Sequence, residues 1–254
     1  MFKAIDTVVF DFGGVLIDLY REKCIEAFRS IGYPQAEEMI SLYGPSDILQ
    51  KLEAGEITGE ELVALIREDS GNDSITYEQV QGAYIAFLGT IPVVKLRAIR
   101  ALREAGFKVC GLSNINEFVM PYVRERLFTA DGMKMEDYIE EPYLSYEMGL
   151  LKPGAEIFRV MIERSGMTPE RTLFIDDSAK NIQTARELGF QVSSPEAVFI
   201  GEIGLFVDGI LFLHHIIQVL VAHDDGVQDG VFVVGILVLL QHGQALVGID
   251  GDGA

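Results

Sequence analysis

Four short segments of this 254-residue chain carry side chains that suit work on a phosphate group. Asp11 closes the apolar run Thr7-Val8-Val9-Phe10, and Ser113-Asn114 closes the run Phe107–Leu112. Lys152-Pro153 follows a glycine-containing loop, and Asp176-Asp177 closes Thr172–Ile175. A carboxylate can attack phosphorus and form an acyl phosphate. A divalent cation must then offset the repulsion between two anions. The oxygens of Asp11 and Asp177 are hard ligands of the kind Mg²⁺ takes. Lys152 adds a point cation that neutralises phosphate charge. The Ser113 hydroxyl and the backbone N–H of Asn114 are donors for phosphoryl oxygens, where charge builds in the transition state. Each residue alone also has an ordinary reading: a turn aspartate, a Ser-Asn turn, a solvated lysine before a helix N1 proline, an Asp-Asp-Ser helix cap. Their order and their placement at strand ends favour the joint reading.

These residues converge only if the strands that carry them are parallel. Short apolar runs closed by glycine or aspartate read as buried parallel strands. Helical stretches lie between them. Leu96, Ile99 and Leu102 recur before Gly106, Ile157, Phe158, Met161 and Ile162 before Gly166, and Ile182, Ala185 and Leu188 before Gly189. Strand alternating with helix predicts an α/β fold with a doubly wound parallel sheet. Residues 19–90 break the alternation and read as several helices. Thr58-Gly59-Glu60-Glu61 and Thr76-Tyr77-Glu78-Gln79 both fit the capping-box pattern. A helical insert just after the first strand sits at the carboxyl edge of the sheet, where ligands bind. The expected division is a core of residues 1–18 and 91–195, a cap of residues 19–90, and a tail of residues 196–254.

Composition bounds the partners. Net charge is −19, from 20 basic and 39 acidic residues. The phosphate backbone of a nucleic acid would repel such a chain. The two cysteines, Cys24 and Cys110, cannot build a disulfide framework and read as buried thiols in a reducing compartment. The N-terminal stretch lacks the apolar core and cleavage site of a signal peptide, so a cytoplasmic location is expected.

The average conceals a break. Every Lys and Arg lies at or before Arg186, all four His lie after it, and no Pro follows Pro195. Gly230–Ile249 is an uncharged stretch of 20 residues, long enough for a membrane span. Gln241, His242, Gly243 and Gln244 interrupt it, and no Lys or Arg flanks it to fix an orientation. The tail therefore reads as a frameshift, read-through or assembly error, ahead of an extra folded module or a membrane hairpin. The pair His214-His215 carries little weight as a metal site, because adjacent side chains diverge.

The segments Val9–Leu16 (VFDFGGVL), Leu112–Asn114 (LSN), Leu144–Pro153 (LSYEMGLLKP) and Phe174–Asn181 (FIDDSAKN) together resemble the haloacid-dehalogenase (HAD) superfamily of phosphatases, in the subfamily with a small helical cap after the first strand. The likeness covers roughly residues 4–192 and carries four motifs in order, a far more specific signal than any one motif. The phrases LSYEMGLLKP and IDDSAKNI are most similar to sugar-phosphate phosphatases such as α-glucose-1-phosphatase. The phosphatase domain of soluble epoxide hydrolase is a more distant relative. The resemblance implies a Rossmann-like core and a Mg²⁺-dependent phosphatase of a small phosphorylated metabolite. It makes Asp11 the nucleophile. It makes Asp11, the Gly13 carbonyl and Asp177 the Mg²⁺ ligands, with Asp176 a ligand or the holder of a metal-bound water. Ser113, Asn114 and Lys152 hold the phosphate in that scheme.

One position departs from the family pattern. A second aspartate usually stands two residues after the nucleophile as general acid and base, and Gly13 stands there in this chain. A positioned acid contributes about 10²–10⁴-fold. The α-glucose-1-phosphatase-like relatives also carry glycine. Gly13 therefore implies either substrates whose leaving group needs little protonation, or another proton donor. Two alternatives remain at this stage. One is a dehalogenase, whose halide needs no proton. The other is a binding module without turnover. The adjacent carboxylates Asp176 and Asp177 favour the phosphatase, since without a cation they would repel each other beside Asp11.

Overall fold

The computed structural model describes residues 5–40, 47–195, 206–207 and 210–211. Strand β1 (Thr7–Phe10) is followed by helices α1 (Arg21–Ser30), α2 (Ala36–Met39), α3 (Asp47–Glu53), α4 (Gly59–Ser70) and α5 (Tyr77–Ile85). Next come α6 (Val93–Glu104), β2 (Lys108–Ser113), α7 (Met120–Tyr122), a π-turn (Val123–Leu127) and α8 (Met135–Tyr138). The chain continues through β3 (Glu141–Leu144), α9 (Ser145–Met148), α10 (Ala155–Ser165), β4 (Thr172–Ile175), α11 (Ala179–Glu187) and β5 (Gln191–Ser193).

The five strands form one sheet in the order β3-β2-β1-β4-β5, and every pairing in it is parallel. This is the doubly wound α/β arrangement that the alternation predicts. The register aligns the strand ends. Phe10 pairs with Gly111 on one side and Ile175 on the other, so Asp11 and Asp176 emerge at one level. The Asp11 N–H donates to the Ile175 carbonyl at 2.9 Å, which extends the ladder by one residue to Asp11.

The apolar faces read from spacing are the buried ones. Leu96, Ile99 and Leu102 of α6 are buried, as are Ile157, Phe158 and Met161 of α10. Phe158, Phe174 and Phe190 meet edge to face, with ring centroids 5.3–6.4 Å apart, an arrangement that suits the ring quadrupoles. Gly111 lies inside β2, where a glycine weakens a strand unless something approaches closely. Here the Phe12 ring does: a Cβ on Gly111 would stand 2.5 Å from its edge.

Three local expectations need correction. The second strand runs over Lys108–Ser113, one residue later than the apolar run suggests. Strand β3 has no counterpart in the sequence reading, because Glu141-Pro142 carries neither apolar nor β-branched character. It is the edge strand, where a proline is tolerated. Pro153 is not the N1 residue of a helix: Gly154 caps α10 and Ala155 begins it.

Both capping boxes form, with the reciprocal bonds Thr58–Glu61 and Thr76–Gln79 at the starts of α4 and α5. Helices α1 to α5 lie between two linkers that run antiparallel side by side. Leu19 bridges Leu88, the Tyr20 N–H donates to Phe87 O at 2.7 Å, and the Gly89 N–H donates to Asp18 O at 2.7 Å. This helical segment docks on the loops beyond β2 and β3. Phe118 is buried between Tyr84, stacked at 5.6 Å, and Tyr77 at 4.8 Å, and Gln81 donates to Phe118 O at 3.0 Å. The Gly59 N–H donates to the Glu117 carboxylate.

The readings of the tail fall almost wholly outside the described residues. Within it, Phe206–Val207 pairs antiparallel with Ile210–Leu211. Among the described residues, no helix is long and apolar enough to cross a membrane.

Substituting Gly111 by alanine should push Phe12 off the strand. Unfolding by urea should show a loss of about 1–3 kcal/mol, the range for overpacked cores. An unchanged midpoint would contradict the close approach.

Candidate active site

The site is built on three strand ends and one loop. Asp11 follows β1, Ser113 ends β2, Lys152 lies in the loop between α9 and α10, and Asp176 and Asp177 follow β4. The Lys152 ammonium is the hub. It lies 3.0 Å from Asp11 Oδ1, 2.7 Å from Asp176 Oδ2 and 2.9 Å from the Leu112 carbonyl. Three donors thus meet three acceptors, which satisfies the group completely. Its side chain is 1% exposed and that of Asp176 is 0% exposed. Burial opposes the charge on Lys152, yet Asp11 and Asp176 together hold the ammonium above its ordinary value. In this arrangement Lys152 is first the counter-ion of two carboxylates. A phosphate oxygen that bonds to it directly must displace one of its three present partners.

Asp11 is buried and its pKa is pushed up to about 6. Burial is the main cause, Lys152 opposes it, and the charge of Asp176 adds to it. Asp11 Oδ1 also accepts from its neighbour's backbone, Phe12 N–H, at 2.7 Å. The second oxygen therefore stands apart from this clasp. Asp176 is more fully engaged. Its Oδ1 accepts from Ser178 N–H at 2.8 Å, and Asn181 Nδ2 lies 2.9 and 3.1 Å from its two oxygens. Asp177 is exposed.

The three carboxylates offer oxygens that all lie within 4.8 Å of one another. Hard oxygen donors at this spacing fit Mg²⁺. Asp176, held by Lys152, Asn181 and Ser178, is better placed to fix its neighbours than to turn toward an ion. The turn after Asp11 adds an acceptor. Its hydrogen bonds run from Gly14 N to Ile17 O, and from Leu16 and Ile17 N to Phe12 O. These bonds leave the Gly13 carbonyl free to face a ligand.

Gly14 rather than Gly13 is the conformationally demanding residue of this turn. Gly14 has φ +70°, and a Cβ there would lie 2.0 Å from Asp177 Oδ2. Gly13 has no such constraint. A Cβ on it would meet the Leu19 side chain at 3.3 Å and nothing closer. Backbone conformation therefore does not explain why position 13 lacks a side chain.

Ser113 is buried at the end of β2, and its hydroxyl makes no side-chain hydrogen bond among the described residues. It is available to a ligand. Asn114 plays a part that its sequence context did not reveal. Its side chain clasps the Lys152 backbone from both sides, donating to Lys152 O and accepting from Lys152 N–H, each at 2.9 Å. Ser145 makes a similar clasp on Ile115, accepting at 2.9 Å and donating at 3.0 Å. Asn181, five residues after Asp176 within the FIDDSAKN segment, carries no signal of its own in the sequence, yet it binds both Asp176 oxygens. Cys24 and Cys110 are buried with thiols pushed up to about 12 by burial, which suits inert core residues.

Comparison with known proteins agrees with this geometry. The family model for haloacid dehalogenase-like hydrolases matches residues 5–189. A D-ribitol-5-phosphate phosphatase from Bacteroides thetaiotaomicron is 37% identical over 192 residues, covering 76% of this chain and 92% of that protein. The structure of a HAD family enzyme from B. thetaiotaomicron, in complex with magnesium and inorganic phosphate, superposes with a TM-score of 0.70. It is 41% identical, over 75% of this chain and 94% of its own. A predicted HAD-like family hydrolase from Porphyromonas gingivalis gives a TM-score of 0.70 at 34% identity, over 86% of this chain and 98% of its own.

The two adjacent aspartates should separate by their roles. Asp176→Ala leaves a buried ammonium short of one partner and should cost about 3–5 kcal/mol of folding stability. Asp177→Ala, at an exposed position, should cost much less stability and weaken Mg²⁺ binding more. Denaturation and calorimetric Mg²⁺ titration of both variants check this. Equal losses of stability would contradict the burial argument, and unchanged Mg²⁺ affinity in Asp177→Ala would contradict the ligand assignment.

Proposed function

This chain belongs to the haloacid dehalogenase-like hydrolase family, and on that premise we propose that it is a Mg²⁺-dependent phosphatase of a phosphorylated sugar or sugar alcohol, working through an aspartyl phosphate on Asp11. The observation that carries the reading is the buried Lys152 ammonium between Asp11 and Asp176, with the exposed Asp177 beside them. The ribitol-phosphate activity of the relative from B. thetaiotaomicron supports the substrate class.

Asp11 Oδ1 is held by Phe12 N–H and Lys152, and the other oxygen of Asp11 attacks phosphorus. Lys152 keeps that carboxylate ionised despite its burial. The Ser113 hydroxyl and the Asn114 N–H bind phosphoryl oxygens. The cofactor is Mg²⁺, and when bound by Asp11, Asp177 and the Gly13 carbonyl it offsets the charge of the phosphate as the two anions approach. Asp176 holds Lys152 in place and orients Asp177 through the shared turn. Residues 19–90 form the cap over the sheet edge and select the substrate. Two buried free thiols fit a reducing compartment such as the cytoplasm.

The test is phosphate release from a panel of pentitol, hexose and acyl phosphates, with Mg²⁺ and with EDTA. Turnover is expected only with the metal. Asp11→Asn should lower kcat by about 10³-fold or more, as loss of a nucleophile does, while substrate still binds. Full activity in EDTA, or an Asp11→Asn rate within about tenfold of the unmodified enzyme, a difference of only about 1.4 kcal/mol in barrier, would overturn the reading.

A further inference from the structure

The proposed reaction lacks a group to protonate the leaving oxygen, since Gly13 has no side chain. In an in-line displacement the leaving oxygen departs on the side of phosphorus opposite the attacking one. Asp11 attacks from the strand end, so the leaving oxygen points away from the sheet, toward the helical segment that covers this edge. Acidic groups of that segment are the candidates.

Glu53, the last residue of α3, is the strongest of them. Helix α3 and the turn after it press onto α9, the helix that leads into the Lys152 loop. A Cβ on Gly55 would lie 2.3 Å from the Tyr146 carbonyl. The carboxyl is close enough to Asp11 and Lys152 to feel both charges, and it makes no hydrogen bond or ion pair among the described residues. Beside it lies a second polar group without a partner among the described residues: the Tyr84 hydroxyl of α5 is buried and makes no hydrogen bond to them. Two unpartnered polar groups of the helical segment thus occur together, and Glu53 is the one that feels the charge of Asp11.

We propose that Glu53 is the general acid and base of this enzyme, supplied from the helical insert in place of a side chain at position 13. The inference rests on the phosphatase reading above. In the first step an Asp11 oxygen forms a bond to phosphorus and the bond from phosphorus to the leaving oxygen breaks. The proton of the Glu53 carboxyl passes to that oxygen, releasing the alcohol. In the second step the Glu53 carboxylate takes a proton from water, and the water oxygen bonds to phosphorus. The Asp11–phosphorus bond breaks, which releases phosphate and restores Asp11 and protonated Glu53.

The electrostatics support this role. Burial and the charge of Asp11 push the Glu53 pKa up to about 7, against the pull of Lys152. The charged and titratable groups around it are Asp11 and Lys152 from the sheet edge, Tyr84 from α5, with Cys24 and Tyr33 behind Tyr84, and Lys51 and Glu56 on its own segment. A raised carboxyl pKa keeps the acid form populated below about 7 and depletes it above.

The experiment compares kcat/KM for a pentitol 5-phosphate, whose leaving alkoxide needs a proton, with p-nitrophenyl phosphate, whose leaving phenolate does not. Both are measured across pH with Mg²⁺, for the unmodified enzyme and for Glu53→Gln. The variant should lose about 10²–10⁴-fold on the alkyl substrate and at least about tenfold less on the aryl one. The unmodified enzyme should show an alkaline fall near pH 7 on the alkyl substrate that is absent on the aryl substrate, and that needs no variant. Equal losses on both substrates, or parallel pH profiles, would overturn the assignment of Glu53 and leave the phosphatase reading standing. No phosphate release from either substrate by the unmodified enzyme would overturn the phosphatase reading and this inference with it.

Discussion

The Lys152 ammonium, buried and bonded to Asp11, Asp176 and the Leu112 carbonyl, is the constraint on which the rest of the site depends. Taking one such ion out of water costs several kcal/mol even after relaxation. Only complete satisfaction by hydrogen bonds and opposite charge offsets that cost. The fold supplies it through register. Pairing Phe10 with both Gly111 and Ile175 brings Asp11, Leu112 and Asp176 to one level, so three elements present their acceptors to one cation. The Asn114 clasp fixes the backbone that carries the lysine, and Asn181 with Ser178 fixes the far side of Asp176. A parallel sheet is well suited to this, because all its strand ends face one way.

The same edge explains where glycine is required. Asp177 occupies the space that a side chain on Gly14 would need, so the first and last motifs interlock. The helical insert approaches from above on two paired linkers and docks by Phe118 against Tyr84 and Tyr77. In the proposed reaction the sheet edge supplies the nucleophile, the counter-charge and the metal ligands. The insert supplies what must face the leaving group. Position 13 then needs no side chain, although the backbone would admit one.

Much of this was legible in the sequence, and what was not has physical reasons. Strands β1, β2 and β4 are apolar runs buried on both faces, which is why composition alone locates them. Strand β3 is an edge strand with Glu141-Pro142 at its start, so it carries no apolar signal. Asp11 and Asp176 stand out because charged residues at the ends of buried strands are unusual, and Lys152 stands out by its place before Pro153 in the loop that follows a glycine. The sequence suggests that Lys152 is free for phosphate, whereas the structure saturates it with two carboxylates and a carbonyl, a matter of three-dimensional convergence that no local pattern carries. Asn114 draws attention as a backbone donor, yet its side chain is what clasps Lys152. Glu53 looks like any acidic residue near the end of a helix. Only the docking of the insert brings it into the field of Asp11.

The central claim is that Asp11, held by Lys152, carries the phosphoryl group. The most direct measurement is a single-turnover reaction of the protein with Mg²⁺ and a pentitol 5-phosphate, quenched in acid and analysed by peptide mass spectrometry. The account predicts a transient phosphoryl group on Asp11 and on no other residue, rising before free phosphate appears. Phosphate released while Asp11 stays unmodified at every time point, or a phosphoryl group on a different residue, would contradict it.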